Sequence, residues 1–239
     1  MHNEFLNPFA KNTKIKDLTL PYYAVFNANN ICESRIALLI EELLHRDEKI
    51  VIAKRKKITA KKEYIASRFL IKSFISQYLN IPYKDLQLSF DQKSVQLNAM
   101  YHNSTVAVNI SLAHSKGFIF FAITRANTDI GIDIEFQNQH RDTQALIKAY
   151  FHPDELSTLL EGSKEQFYQY WALKEALAKI TKKTILEVLK QKTTQQLSRF
   201  HHISFQYQQF ALAIVQTARI KPQPINLINF DEKLQLNYE

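Results

Sequence analysis

Glycine is scarce in this 239-residue chain: only Gly117, Gly131 and Gly162 occur. A phosphate loop of the Walker or the dinucleotide kind needs clustered glycines, so both are excluded. Cysteine is limited to Cys32, which leaves no internal disulfide and no thiol pair for a metal. A packed or partly exposed free thiol is the simple reading of it. Long apolar runs are missing too. Stretches such as Ile36–Ile40 and Phe118–Ile123 fall far short of the ~20 residues that cross a bilayer. The N-terminal residues have no signal-peptide apolar core. These absences lead us to expect a reducing, cytoplasmic setting and no membrane association. Aromatic side chains are plentiful, with 16 Phe and 11 Tyr, enough for a proper core. The net charge of +8 suits acidic partners: polynucleotide, anionic lipid, a phosphate-rich ligand or an acidic protein.

In chain order, Leu18–Phe26 can hold a strand. Ser34 is placed to cap an amphipathic helix carrying Ile36, Leu39, Ile40, Leu43 and Leu44. A basic run, Lys54–Lys62, reads first as a solvated face and second as a landing strip for a polyanion. Thr59 is placed to cap the next helix, with Ile65, Phe69, Leu70, Phe74 and Ile75 on its apolar side and Arg68 and Lys72 on another. Asn80 and Pro82 end it. Leu86–Phe90 and Val95–Leu97 alternate around a turn at Asp91-Gln92-Lys93. Val106–Ile110 and Phe118–Thr124 read as strands flanking a polar corner, Ser111–Gly117. Arg125–Thr128 is the candidate junction between two halves. Beyond it come a short helix over Thr143–Tyr150, a helix start at His152-Pro153-Asp154-Glu155, and a capping box at Ser163–Gln166. Strands at Ile203–Tyr207 and Phe210–Val215 and a surface tail with Pro222 and Pro224 complete the chain. Strand–helix order is irregular, which predicts an α+β class.

Two segments concentrate the chemistry. Ile130-Gly131-Ile132-Asp133-Ile134-Glu135 alternates, so the isoleucines share one face and Asp133 and Glu135 lie side by side on the other. By default such a pair is a solvated face. The flanking isoleucines instead imply a buried strand, where two carboxylates repel unless a cation or base pairs them. Downstream, Phe167, Trp171, Glu175 and Lys179 fall four apart on one helical stripe. A strand with two carboxylates and a helix with a third beside lysines can hold a hard divalent cation against a phosphate. Trp171 is expected to pack in the core whatever the function. His114 reads either as a satisfied polar histidine or as a phosphate donor helped by Ser115 and Lys116.

These residues resemble the 4′-phosphopantetheinyl transferases, in particular the two-lobed (Sfp-type) members. The family pattern stands here as Gly131-Ile132-Asp133-Ile134-Glu135 and Phe167-x3-Trp171-x2-Lys174-Glu175-Ala176-x3-Lys179. Phe151–Leu156 is similar to the family's intervening helix start, and His114-Ser115 to its Ser-His-Ser corner. Three departures stand out. Ala113 replaces the first serine, Thr181-Lys182-Lys183-Thr184 replaces Gly-Lys-Gly, and Gln92-Lys93-Ser94 replaces Gly-Lys-Pro.

The resemblance implies two similar α+β lobes related by a pseudo-twofold axis in a monomer, with the active site in the cleft between them. Residues 1–126 would form the N-terminal lobe and 127–239 the C-terminal lobe. It implies transfer of the 4′-phosphopantetheine arm of coenzyme A to a serine of an acidic acyl or peptidyl carrier protein, releasing adenosine 3′,5′-bisphosphate. Asp133, Glu135 and Glu175 would hold Mg²⁺, with Mn²⁺ as an alternative. Glu175 and Lys179 would be catalytic, and His114, Ser115, Lys93, Arg68 and Lys174 would contact coenzyme A. Two rivals are weaker. A nucleic-acid binder would interleave aromatics with the Lys54–Lys62 run, and none are there. A Mg²⁺ nuclease would commonly carry a lysine two residues after the second acid, where Gln137 stands.

Overall fold

The computed structural model describes residues 20–91, 96–219 and 225–228; the turn at Gln92-Lys93, the tail prolines and the first residues of the Leu18–Phe26 stretch lie outside them. The described chain runs β1 (Tyr22–Asn27), α1 (Ile36–Leu43), α2 (Arg46–Ala53), α3 (Ile58–Leu79), β2 (Leu86–Asp91), β3 (Gln96–Tyr101), β4 (Ser104–Thr105), β5 (Val108–Ser115), β6 (Phe118–Arg125) and β7 (Ile130–Phe136). It continues through α4 (Thr143–Tyr150), α5 (Leu156–Glu161), α6 (Lys164–Thr181), α7 (Ile185–Leu189), α8 (Thr193–Leu197), β8 (His201–Tyr207), β9 (Phe210–Gln216) and β10 (Asn226–Ile228). One sheet has the order β10-β1-β6-β5-β3-β2, with β4 hydrogen-bonded to β3. The second has the order β7-β9-β8. All described pairings are antiparallel except β1 with β10.

Strand alternation builds the layers. Tyr23, Val25, Phe120 and Ala122 of the large sheet meet Ile130, Ile132, Ile134, Leu212 and Ile214 of the small one. The opposite face of the large sheet, with Phe26, Ile119, Phe121 and Ile123, is covered by α1 and α3. The opposite face of the small sheet offers Ala211, Ala213 and Val215 to α6. Each fully buried Ile or Phe contributes roughly 1.5–3 kcal/mol, so these layers hold the fold. The two sheets are also seamed along an edge. Ser111 Oγ accepts the Ile132 N–H and Ser115 Oγ the Phe136 N–H, both at 3.1 Å, which satisfies backbone donors of the β7 edge.

Several expectations hold: the Thr143–Tyr150 helix, the Ser163 capping box, and the end of α3 at Asn80, whose backbone is left-handed with φ 52°. Others need correcting. The polar corner is mostly strand, because β5 runs through Ser115 and only Lys116 and Gly117, both at positive φ, make the turn. Ser34 and Thr59 are not caps; Ser34 lies in a 3-10 turn and Thr59 inside α3. α2, α7 and α8, of eight, five and five residues, are too short for a helical period to show in the sequence. Arg68 and Lys72 do not face solvent, since α3 is enclosed on all sides there. Lys72 Nζ donates to Glu48 Oε2 at 2.6 Å, and Glu48 Oε1 accepts the Leu88 N–H. The tail is not all surface either, for Ile225 is buried and β10 adds to β1.

Candidate active site

Gly131 decides how closely α6 approaches β7. A Cβ there would lie 2.0 Å from the Ala176 carbonyl oxygen, so no side chain fits. Glu175, next to Ala176, and Lys179, one turn on, are thereby pressed against the Asp133–Glu135 side of the strand. Lys179 Nζ donates to Asp133 Oδ1 and to the Ile132 carbonyl, both at 2.9 Å. Two of its three ammonium hydrogens are thus used. Asp133 Oδ2 is buried with no partner.

The acids share one electrostatic environment. Burial raises Asp133 above the usual carboxylate range, with Lys179 pulling the other way. Burial and the neighbouring Asp133 push Glu135 up to about 7, with Glu175 adding to the rise. Glu175 is raised by burial and then by Asp133. Among the described residues, no three Asp, Glu, His or Cys side chains are gathered into a group that could hold a metal ion as they stand. The donors themselves suit a hard cation: three carboxylates in mutual repulsion and one orphaned, buried oxygen.

Lys179 also lines a cavity of about 700 Å³ whose walls come from both sides of the molecule. Arg55, Tyr64, Arg68 and His114 form one side, and Asp129, Ile130, Lys179 and Lys182 the other. The Arg55 and Arg68 guanidinium carbons lie 4.9 and 4.1 Å from the Tyr64 ring centroid, and the Nε of each is buried and unpartnered. Two guanidinium groups beside a half-exposed imidazole give this side of the cavity donors suited to phosphate oxygens.

Residues 129–225, which include all three acids and Lys179, match the sequence profile of the 4′-phosphopantetheinyl transferase superfamily. The chain is similar to the superfamily over that stretch. The 4′-phosphopantetheinyl transferase HetI of Nostoc sp. is 27% identical over 126 residues, 51% of this chain and 52% of that protein. The chain therefore spans about half the length of the curated relative it matches.

The remaining predicted residues fall unevenly around this site. His114 and Arg68 line the cavity, outside the matched residues. Ser115 sits at the sheet seam as the acceptor for Phe136. Lys93 lies outside the described residues. Lys174 is a correction: it is fully buried and cannot meet a ligand. Its ammonium lies 2.8 Å from Glu155 Oε2 and donates to the carbonyls of Leu189 and Gln191 at 3.1 and 2.7 Å. Trp171 packs on Phe151 and Phe167, as expected.

Two residues escaped sequence reasoning. Glu63 on α3 lies 3.1 Å from His114 Nδ1 and accepts the Gly117 N–H at 2.8 Å. Burial would raise its carboxyl, but His114 and that N–H hold it below the usual range. Arg141, after β7, lies 4.7 Å over the Trp171 ring and opposes the rise of Glu135 and Glu175. Neither sits in a periodic pattern. Nothing in the sequence hinted at either.

Proposed function

We propose that the chain transfers the 4′-phosphopantetheine arm of coenzyme A to a serine of an acyl or peptidyl carrier protein, releasing adenosine 3′,5′-bisphosphate. The observation that carries this is the superfamily match over residues 129–225 together with the pairing of its two motifs across Gly131 and Ala176. Asp133, Glu135 and Glu175 would hold Mg²⁺ or Mn²⁺. Bound there, the metal would neutralise the pyrophosphate of coenzyme A and make its β-phosphate the better electrophile.

The chain's own groups do the rest. Glu175, its basicity raised by burial and by Asp133, takes the proton of the acceptor serine. The serine oxygen forms the new bond to phosphorus as the bond to the leaving bisphosphate breaks. Lys179, held by Asp133 and Ile132, turns its remaining N–H toward the charge growing on that leaving group. His114, Arg68 and Arg55 bind the nucleotide phosphates along the cavity wall. One chain supplies both walls, which suits the monomeric, two-lobed subtype with its cleft between lobes.

The test is intact-mass spectrometry of a panel of apo carrier proteins incubated with the protein, coenzyme A and Mg²⁺. A mass gain of one phosphopantetheine on at least one carrier is expected. No gain on any carrier, with adenosine bisphosphate also absent, would overturn the assignment.

A further inference from the structure

Glu63 is an acid in a wall otherwise suited to phosphate. It lines the 700 Å³ cavity beside Arg55, Arg68 and His114. Its side chain is 9% exposed, whereas the His114 imidazole is 51% exposed, so the carboxylate lies beneath the ring. A bare carboxylate at that place would repel a phosphate. This one has both oxygens engaged. Oε1 accepts the Gly117 N–H at 2.8 Å, and Oε2 lies 3.1 Å from His114 Nδ1. Burial opposes its charge, but those two partners hold its carboxyl below the usual range, so it stays ionised.

The turn that Glu63 grips is pinned from the other side as well. The Gly117 carbonyl accepts the Ala28 N–H at 2.8 Å, and Asn29 Nδ2 donates to the Lys116 carbonyl at 3.0 Å. The carboxylate is therefore anchored on backbone that owes nothing to His114. An ionised carboxylate only accepts, so His114 Nδ1 carries the proton between them. The geometry of the ring then turns Nε2 away from Glu63. The described residues give Nε2 no partner. A phosphate oxygen needs a donor there, so the binding form is the imidazolium, with Nδ1–H kept on Glu63 and Nε2–H on the ligand.

We propose that Glu63 is the positioning residue for the phosphate contact of His114: it selects which imidazole nitrogen meets the ligand and does not itself touch it. The identity of that ligand, coenzyme A, rests on the transferase reading above; the role of Glu63 rests on the contacts it makes with His114 and Gly117. A mere staple between α3 and the β5–β6 turn would make the same contacts but behave differently. Its loss would weaken binding equally with or without the imidazole.

Two readouts separate these. Long-range proton–nitrogen NMR of the free wild-type protein, with His114 assigned by comparison with His114→Ala, should place the proton on Nδ1 where the ring is neutral. Added coenzyme A should convert the ring to its doubly protonated form. In Glu63→Gln one amide oxygen must serve both Gly117 and the ring, and the Nδ1–H preference should be lost. Calorimetry should show coenzyme A bound about three- to tenfold more weakly by Glu63→Gln and by His114→Ala, the size of one hydrogen bond. Glu63→Gln should raise KM for coenzyme A and leave kcat little changed. The double variant should bind no more weakly than His114→Ala alone. A neutral wild-type ring protonated on Nε2, a tautomer indifferent to Glu63→Gln, a loss confined to kcat, or losses that add in the double variant would each overturn the proposal and leave the transferase reading standing. Wild type that neither binds coenzyme A nor modifies a carrier overturns both.

Discussion

At the residue scale, each acid of the site is defined by what surrounds it. Among the described residues, none hydrogen-bonds or ion-pairs with Glu175 to hold it charged, while burial and Asp133 make it more basic. Glu175→Gln should therefore cost about 10²–10⁴-fold in carrier turnover while folding as wild type by circular dichroism. Turnover near wild type would remove Glu175 from the role of base. Glu135 gives a test independent of turnover. Its carboxyl is raised from 4.5 to about 7, so between those values the folded state binds more protons than the unfolded. Stability from this group is thus present at low pH and falls as pH rises through about 7. A divalent cation competes with that proton. Added Mg²⁺ should raise the Tm more above pH ~7.5 than below pH ~6, and Asp133→Asn should blunt the difference. A Mg²⁺ response that ignores pH would place the ion elsewhere.

Among secondary-structure elements, the contact of β7 with α6 matters most. Alternating isoleucines made the strand legible, and the Ser163 capping box made the helix start legible. What lets them pack so closely was not, because no periodic pattern singles out Gly131. In the fold it removes the atom that would strike the Ala176 carbonyl. Gly131→Ala should destabilise the protein by about 1–3 kcal/mol in urea melts, because helix or strand must shift. It should also lower turnover by displacing Glu175 from Asp133. An unchanged melting midpoint would show that α6 is not pinned there. α3 carries the opposite lesson. Its Arg68 and Lys72 read as a polar side, yet both are buried, because Glu48 of α2 offers Lys72 a partner from outside the helix and the Tyr64 ring, one turn back on α3, covers Arg68.

For the whole molecule, the cavity is closed by groups from α3 and β5 on one side and from α6 and its C-terminal cap on the other. A site completed within one chain needs no second copy. Light scattering should return a particle of about one chain mass, 28.0 kDa, and specific activity should not depend on protein concentration. A stable dimer whose dissociation abolishes activity would contradict this. By itself the sequence determined what is periodic and local: the β7 alternation, the α6 stripe, the turn and cap signals, and the motif pair that the superfamily match shares. Only the tertiary structure decided which charged groups are buried, which acids feel one another and which lysines are struts. Lys174 and Lys179 stand five apart on one helix; one is locked on Glu155 and three carbonyls, the other on Asp133 beside the cavity. That difference depends on residues distant in the chain, brought near by packing, and no local pattern encodes it.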